Sequence, residues 1–272
     1  MVAFNLKTTM SIMLIVVSSF IGQAQNNDAT NFDIFNTYGN FGYSVAPVLF
    51  NRATITRKYG NTKLSNKPIL SYQLGMEYHF NQGKRWGIII GLNLTGTPLT
   101  NASYILNEND IYTGYNNQEQ LNGLGSLYIS IPLSIELKTR FSKKIYSNIG
   151  LGVKAGFLRG SSNEYLVSYY REDLQEVREV FAMYQLTNSK TPNTSIVLSG
   201  GLYFILKKCM IKTNLVYNKS FKNIVEGEYQ FGNLLVSEPT RGDYKISGDY
   251  FALSTTIYFK IKKNKRKKKH NF

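Results

Sequence analysis

Residues 127–137 read LYISIPLSIEL, and this stretch decides the fold. Every second residue is apolar and most of the residues between are polar, a period of two that is typical of a β-strand with one apolar face. Lys143 and Lys144 then mark a turn into a second alternating run, residues 145–157. The two runs predict a hairpin whose strands are each long enough to cross a lipid bilayer. The apolar positions of the first run are Leu127, Ile129, Ile131, Leu133, Ile135 and Leu137.

The same alternation recurs along the chain and predicts eight strands. The first is the least clear, because Tyr43, Val45 and Leu49 compete with the set Ala46, Val48 and Phe50 for the outer face. Pro132 lies in the middle of the predicted strand 127–137 and lacks the backbone N–H donor, so a bulge is expected there. The predicted strands span residues 42–50, 69–80, 85–95, 127–137, 145–157, 194–206, 209–218 and 248–261.

The linkers between these strands alternate between long and short. An outer-membrane barrel has short periplasmic turns and long external loops, and an even strand number leaves both termini in the periplasm. The prediction is therefore an all-β fold, an eight-stranded antiparallel transmembrane up-and-down β-barrel with four long extracellular loops. A soluble barrel with an apolar interior would share the period of two but has no reason for four long loops at one end. Aromatic girdles are expected at both ends, with Tyr78, Phe80, Trp86, Phe204 and Phe259 at the turn end and Tyr72, Phe157, Tyr217 and Phe251 at the loop end.

The chain divides into four segments. Residues 1–24 resemble a signal peptide, with Lys7 before an apolar run and small residues at the end, so cleavage is expected near Ala24. Residues 25–41 are then a periplasmic segment, 42–261 the barrel and 262–272 a basic periplasmic tail. Just over half of the formal charge of +15 lies at the end of the chain, because residues 260–272 hold eight Lys or Arg and no acid. The tail is either solvated or in contact with anionic lipid headgroups or cell-wall polymer.

The inward positions of the predicted strands carry charges of both signs. We expect a polar network of Glu77, His79, Glu136, Lys154 and Lys212 inside the barrel, with Lys212 neutralising one or both carboxylates. Eight strands enclose only enough room for side chains, so the barrel is expected to conduct little.

The long linker 158–193 contains the candidate binding surface. It carries Tyr165, Tyr169, Tyr170, Phe181 and Tyr184, and aromatic side chains exposed on a rigid rim are typical of binding sites. The same rings could instead pack loop on loop. The linker is expected to form either strands above the membrane or a short helix with Leu174, Val177 and Phe181 on one face.

Catalytic and metal-binding patterns are missing from the sequence. A catalytic site at the loop rim needs a nucleophile, a base and an orienting acid, but His79 is expected inside the barrel and His270 lies in the tail. Cys209 is the single cysteine, so an intrachain disulfide is excluded and a metal set of the usual spacing is not formed. No catalytic, cofactor-binding or metal-ligating residue is therefore assigned. Arg241-Gly242-Asp243 matches an adhesion tripeptide, which three residues readily do by chance.

Several segments resemble the PorT-like group of small outer-membrane β-barrels of Bacteroidetes. The similarity lies in residues 128–138 (YISIPLSIELK), 146–152 (YSNIGLG), 217–224 and the final alternating strand that ends in Phe259, and it covers about residues 41 to 261. The resemblance implies a membrane barrel, and some family members are linked to secretion and gliding machinery. It supplies no catalytic residues. The basic tail departs from the family pattern, since such barrels usually end at the aromatic residue of the last strand.

Three function classes follow. The favoured class is a non-enzymatic barrel for surface binding, adhesion or envelope structure. The second is an accessory subunit of a secretion or gliding complex, and the third and least favoured is a lipid- or protein-cleaving barrel enzyme. Expected partners are outer-membrane lipid and an envelope protein or extracellular ligand at the loops. Nucleic acid is excluded by compartment, and a monomer is expected.

Overall fold

A computed structural model describes residues 32–97, 101–111, 115–122, 126–158, 162–171, 174–187 and 192–261. The predicted signal peptide and the basic tail 262–272 lie outside the described residues. No helix within the described ranges is long and apolar enough to cross a membrane.

Eight long strands close into one antiparallel barrel, as predicted. Each strand pairs with its neighbours in chain order, and the first strand also pairs with the last. The observed strands are β1 (Tyr38–Phe50), β4 (Ile69–Phe80), β5 (Trp86–Thr97), β8 (Ser126–Arg140), β9 (Ile145–Leu158), β12 (Asn193–Ile205), β13 (Cys209–Ser220) and β16 (Tyr250–Lys260).

The outer surface of the barrel is apolar and its inner surface is largely polar. On β4, Leu70 and Tyr72 are 62% and 67% exposed, whereas Ser71 between them is 6% exposed. This inverts the arrangement of a water-soluble protein and is what a transmembrane barrel requires. The ambiguous first strand is also resolved, because Val48 and Phe50 are buried while Leu49 faces outward. Exposed aromatic side chains lie at both ends of the outer face, as expected of interfacial girdles: Phe80, Trp86 and Phe259 at the turn end, and Tyr72 and Phe157 at the loop end.

The bulge expected at Pro132 is wrong. Strand β8 keeps one register with β9 on both sides of Pro132, and its register with β5 is the same before and after this point. The ring of Pro132 faces the barrel interior opposite Gly91, and a side chain at Gly91 would meet its Cγ at 3.0 Å. A glycine on the adjacent strand thus makes room for the ring, so the strand need not bend.

Among the described residues, the four long linkers contain eight further strands, which together we call the loop head. Residues 162–171 and 176–187 are strands, so the helical alternative for the third linker is wrong. The strands of the loop head are β2 (Thr54–Tyr59), β3 (Leu64–Asn66), β6 (Asn101–Ile105), β7 (Gln118–Asn122), β10 (Ser162–Arg171), β11 (Glu176–Thr187), β14 (Asn223–Phe231) and β15 (Thr240–Ser247), and two 3₁₀ turns span Asp33–Thr37 and Glu108–Asp110.

The loop head is built from two antiparallel sheets. One has five strands in the order β10-β11-β14-β15-β2, and so joins the first, third and fourth linkers. The other has three strands in the order β3-β6-β7, and joins the first and second linkers. Because each sheet takes strands from different linkers, the linkers form one folded unit and not four separate loops.

Candidate functional site

The turn end of the barrel is closed by the segment that precedes β1. The 3₁₀ turn Asp33–Thr37 places Phe35 inside the barrel, where it is fully buried. Its ring meets Tyr146 and Tyr203 edge-on, with ring centroids 4.9 and 5.1 Å apart. Lys138 lies over the same ring at 4.5 Å and donates a hydrogen bond to the Gln82 carbonyl. The plug could not be predicted from the sequence, because residues 32–37 (FDIFNT) are too few to show a strand or helix period.

A layer of charges lies above the plug. Lys212 Nζ is 3.2 Å from Glu77 Oε1 and 3.0 Å from Glu136 Oε2, so one ammonium bridges both carboxylates. Two tyrosines complete the layer, since Tyr203 donates to Glu136 at 2.8 Å and Tyr258 donates to Glu77. These contacts satisfy charges that would otherwise be costly to bury.

His79 lies beside this layer and is fully buried. Its Nε2 is 3.8 Å from Glu136 Oε1, which is too long for a hydrogen bond. A side chain at Gly87 would collide with the imidazole, so this glycine leaves the space that His79 fills. The histidine is therefore far from the loop rim, where a catalytic base would be needed.

Lys154 occupies a separate position nearer the loop end. Its Nζ lies near no carboxylate within the described part of the chain and donates to the Tyr250 hydroxyl at 3.1 Å. The rings of Tyr250 and Tyr128 flank the ammonium at 4.5 and 5.1 Å. Tyr250 in turn donates to Gln73 at 3.3 Å. Of the five predicted interior residues, four thus gather in the charged layer and Lys154 stands apart.

A cavity of about 90 Å³ lies between Lys154 and the charged layer. Its walls are mostly hydroxyl, amide and small apolar groups. Above it, Phe50, Tyr128, Leu158 and Tyr250 belong to the buried cluster that continues into the loop head. Because the plug lies below the cavity and this cluster lies above it, the barrel interior does not form an open channel. Its lining includes Ser44, Gln73, Glu77, Asn93, Ser134, Lys154, Ser199, Lys212, Asn214, Ser254 and Thr256.

An aromatic core joins the two sheets of the loop head. Tyr104 of β6 packs against Phe181 of β11 and Phe231 of β14, with ring centroids 4.9 and 5.2 Å apart. Phe181 and Tyr169 are 0% and 4% exposed, so the prediction that they belong to an exposed binding surface is wrong. They face the interior of the head because a β-sheet buries the face that meets a second sheet.

Polar contacts between linkers hold the head together. Asp110 of the second linker accepts hydrogen bonds from the Val236 and Ser237 amides at 3.3 and 2.6 Å, and from the Ser237 hydroxyl at 2.7 Å. Burial opposes ionisation of Asp110, but these bonds outweigh it and lower its pKa. The second and third linkers are joined by Tyr115, whose hydroxyl bonds to both backbone groups of Tyr170.

The opposite side of the five-stranded sheet faces solvent, and we call it the outer sheet face. It exposes Tyr184, Leu166 and Leu186 by 50%, 47% and 65%. Beside Tyr184, the side chains of Glu228 and Asp243 occupy the same cross-strand row. Of the predicted binding residues, Tyr184 therefore lies on this face, Tyr170 is exposed near the end of β10, and Tyr165 is partly buried against the core.

The Arg-Gly-Asp tripeptide lies within strand β15 and not at a loop tip. Arg241 is paired with Glu228, and Asp243 lies 2.7 Å from Lys58 Nζ. Gly242 faces the head interior beneath the ring of Tyr229. The tripeptide is thus part of a paired sheet and does not present an extended recognition loop.

Within the described ranges, no three His, Cys, Asp or Glu side chains are grouped to hold a metal ion. The candidate site is the exposed surface of the loop head.

Comparisons with solved structures return outer-membrane proteins of similar extent. The crystal structure of the outer membrane protein OprG from Pseudomonas aeruginosa is similar at 12% identity and a TM-score of 0.40, covering 82% of this chain and 98% of that one. Neisserial surface protein A is similar at 10% identity and a TM-score of 0.33, with coverage of 82% and 98%. Ail, the attachment invasion locus protein of Yersinia pestis, is similar at 12% identity and a TM-score of 0.30, with coverage of 81% and 99%.

Sequence comparisons add no family. No protein-family model matches the chain, and no curated protein matches it at the significance required. The assignment as an eight-stranded membrane barrel therefore rests on the strand pairing and the apolar outer face described above.

Proposed function

We propose that this protein is a non-enzymatic, non-conducting barrel of the outer membrane that displays a binding surface outside the cell. The observation that carries the proposal is the fusion of four linkers into one head whose core continues into the barrel mouth. A surface fixed in this way loses little conformational freedom when it binds, which favours affinity.

The outer sheet face is the binding surface that we favour. Tyr184, Leu166 and Leu186 supply apolar anchors, and the ion-paired residues Glu228, Arg241 and Asp243 lie beside them. An apolar or aromatic anchor within a charged rim is a common composition for a protein-binding site. The partner is then an envelope protein or an extracellular ligand.

The remaining features fit the same location. A signal peptide cleaved near Ala24 would deliver the chain to the envelope, and the apolar outer face would contact outer-membrane lipid. Residues 262–272 would then lie in the periplasm. We propose a monomer, because eight-stranded barrels bury their own polar backbone and need no partner to span the membrane.

Site-specific photocrosslinking in the native host tests the binding proposal. A photoreactive amino acid at Tyr184 or Leu166 should give a discrete adduct, whereas the same group at Ser199, which faces the barrel cavity, should not. No adduct at any outer-sheet position would contradict the proposal. An adduct with an envelope protein at Tyr184 would favour the accessory-subunit role that the family resemblance implies.

Planar-bilayer recording tests the non-conducting barrel separately. The filled interior predicts no large steady pore. A conductance like that of a porin would show that the plug or the strand assignment is wrong, whatever the head binds.

A further inference from the structure

Lys154 is a buried ammonium group, and no carboxylate of the described barrel residues lies beside it to neutralise its charge. The residue is 2% exposed, and among the described residues its ammonium group contacts one tyrosine hydroxyl and two tyrosine rings. Ring faces and a neutral hydroxyl offset only part of the cost of burying an ammonium group.

The barrel interior as a whole carries an excess of positive charge. Lys138, Lys154 and Lys212 point inward, whereas Glu77 and Glu136 are the inward carboxylates within the described residues. Both carboxylates are already engaged by Lys212. Counting lysines against carboxylates therefore leaves one positive charge, and Lys154 is the lysine farthest from both acids along the barrel.

The cavity beside Lys154 has a size and a lining that suit a small polar ligand. Its volume of about 90 Å³ is several times the space that one water requires. Hydroxyls and amides line it, together with Glu77 and Lys212, which are paired with each other. The side-chain oxygen assigned to Asn214, a residue only 5% exposed, has no protein hydrogen-bond partner within the described ranges. A 180° turn of that amide would direct an N–H donor to the same point.

We infer that this cavity binds one monovalent inorganic anion the size of chloride, held by the Lys154 ammonium and by hydroxyl and amide donors of the wall. The anion matches the single excess charge. A volume of about 90 Å³ is too small for lipids and sugars. This site is independent of the binding surface on the loop head, so either proposal can fail without the other.

Unfolding in matched salts tests the site. For the barrel refolded in detergent, the urea midpoint should be higher in sodium chloride than in sodium gluconate of equal ionic strength, because gluconate is too large for the cavity. Lys154→Met should give the same midpoint in both salts. Lys245→Met, an exposed lysine of the head, should keep the wild-type difference. Equal midpoints for the wild type, or a chloride response that survives Lys154→Met, would overturn the inference.

Crystals of the unaltered protein grown in sodium bromide give a second readout that does not depend on a variant folding. An anomalous peak in contact with Lys154 Nζ is expected. A cavity that shows no such peak would contradict the inference.

Discussion

The ring of Tyr104, from the second linker, lies 4.9 Å from the ring of Phe181, from the third. Both rings also contact Phe231 of the fourth linker. Three segments that are far apart in sequence therefore share one aromatic core above the membrane. Aromatic pairs of this kind contribute beyond the area that they bury, so the head should unfold as a unit.

Phe181→Ala should open the head and leave the barrel closed. Removing a buried Phe typically costs about 3–5 kcal/mol, and this one lies only in the head core. Limited proteolysis of the refolded protein should cut residues 162–187 faster, while the heat-dependent gel shift of the barrel persists. Tyr184→Ala, at an exposed position of the same strand, should be cleaved at the same rate as the wild type. If Phe181→Ala resists the protease as well as the wild type does, the aromatic core does not stabilise the loop head.

Lys212→Met should destabilise the barrel itself. The substitution leaves Glu77 and Glu136 buried without their shared cation, and breaking a buried pair costs roughly 3–5 kcal/mol. The urea midpoint should fall, and Glu136→Gln added to the variant should restore part of the loss because one stranded charge is removed. If Lys212→Met leaves the urea midpoint unchanged, the charged layer contributes nothing to stability.

Phe35→Ala should loosen the turn end of the barrel. Phe35 is fully buried between Tyr146 and Tyr203, and its loss removes the ring beneath Lys138. We expect a lower urea midpoint, by about 3–5 kcal/mol of unfolding free energy, together with brief conductance events in planar bilayers. Phe41→Ala, at a position 60% exposed on the outer face, is the matched control and should stay closed. A closed and fully stable Phe35→Ala would show that the segment does not act as a plug.

The contact of Asp110 with Ser237 should weaken in acid. Because the pKa of Asp110 is lowered in the folded head, its contribution is complete above the ordinary carboxyl pKa and disappears as the pH falls through the folded value. Amide exchange at residues 236 and 237, corrected for intrinsic rates, should speed up below about pH 4. Asp110→Ala, which removes the accepting oxygens, should show fast exchange at every pH, whereas Asp243→Ala should behave as the wild type. Exchange that is equally slow at low pH would contradict the assigned bonds.

The barrel could be predicted from sequence because its signal is local and repeated. Alternation assigns each strand residue to one face, and short turns fix which strands pair. Even the inward position of Lys212 follows from counting along one strand. The sequence did not show which side chains of the first strand point outward, because this depends on the neighbouring strands.

The loop head and the plug could not be predicted in the same way. Tyr169 and Tyr170 are adjacent and chemically alike, but the first is buried and the second exposed, because their places in the sheet are set by pairing with distant strands. Phe35 acquires its role only when the closed barrel surrounds it. At Pro132 the local rule predicted a bulge, and the compensating residue, Gly91, lies on another strand.

The most direct test of a head displayed outside the cell is cysteine labelling on intact cells. In a Cys209→Ser background, Tyr184→Cys on the outer sheet face should react with a membrane-impermeant maleimide before permeabilisation. Lys207→Cys, in the turn between β12 and β13, should react only afterwards. The reverse order of labelling would place the head in the periplasm and contradict the account.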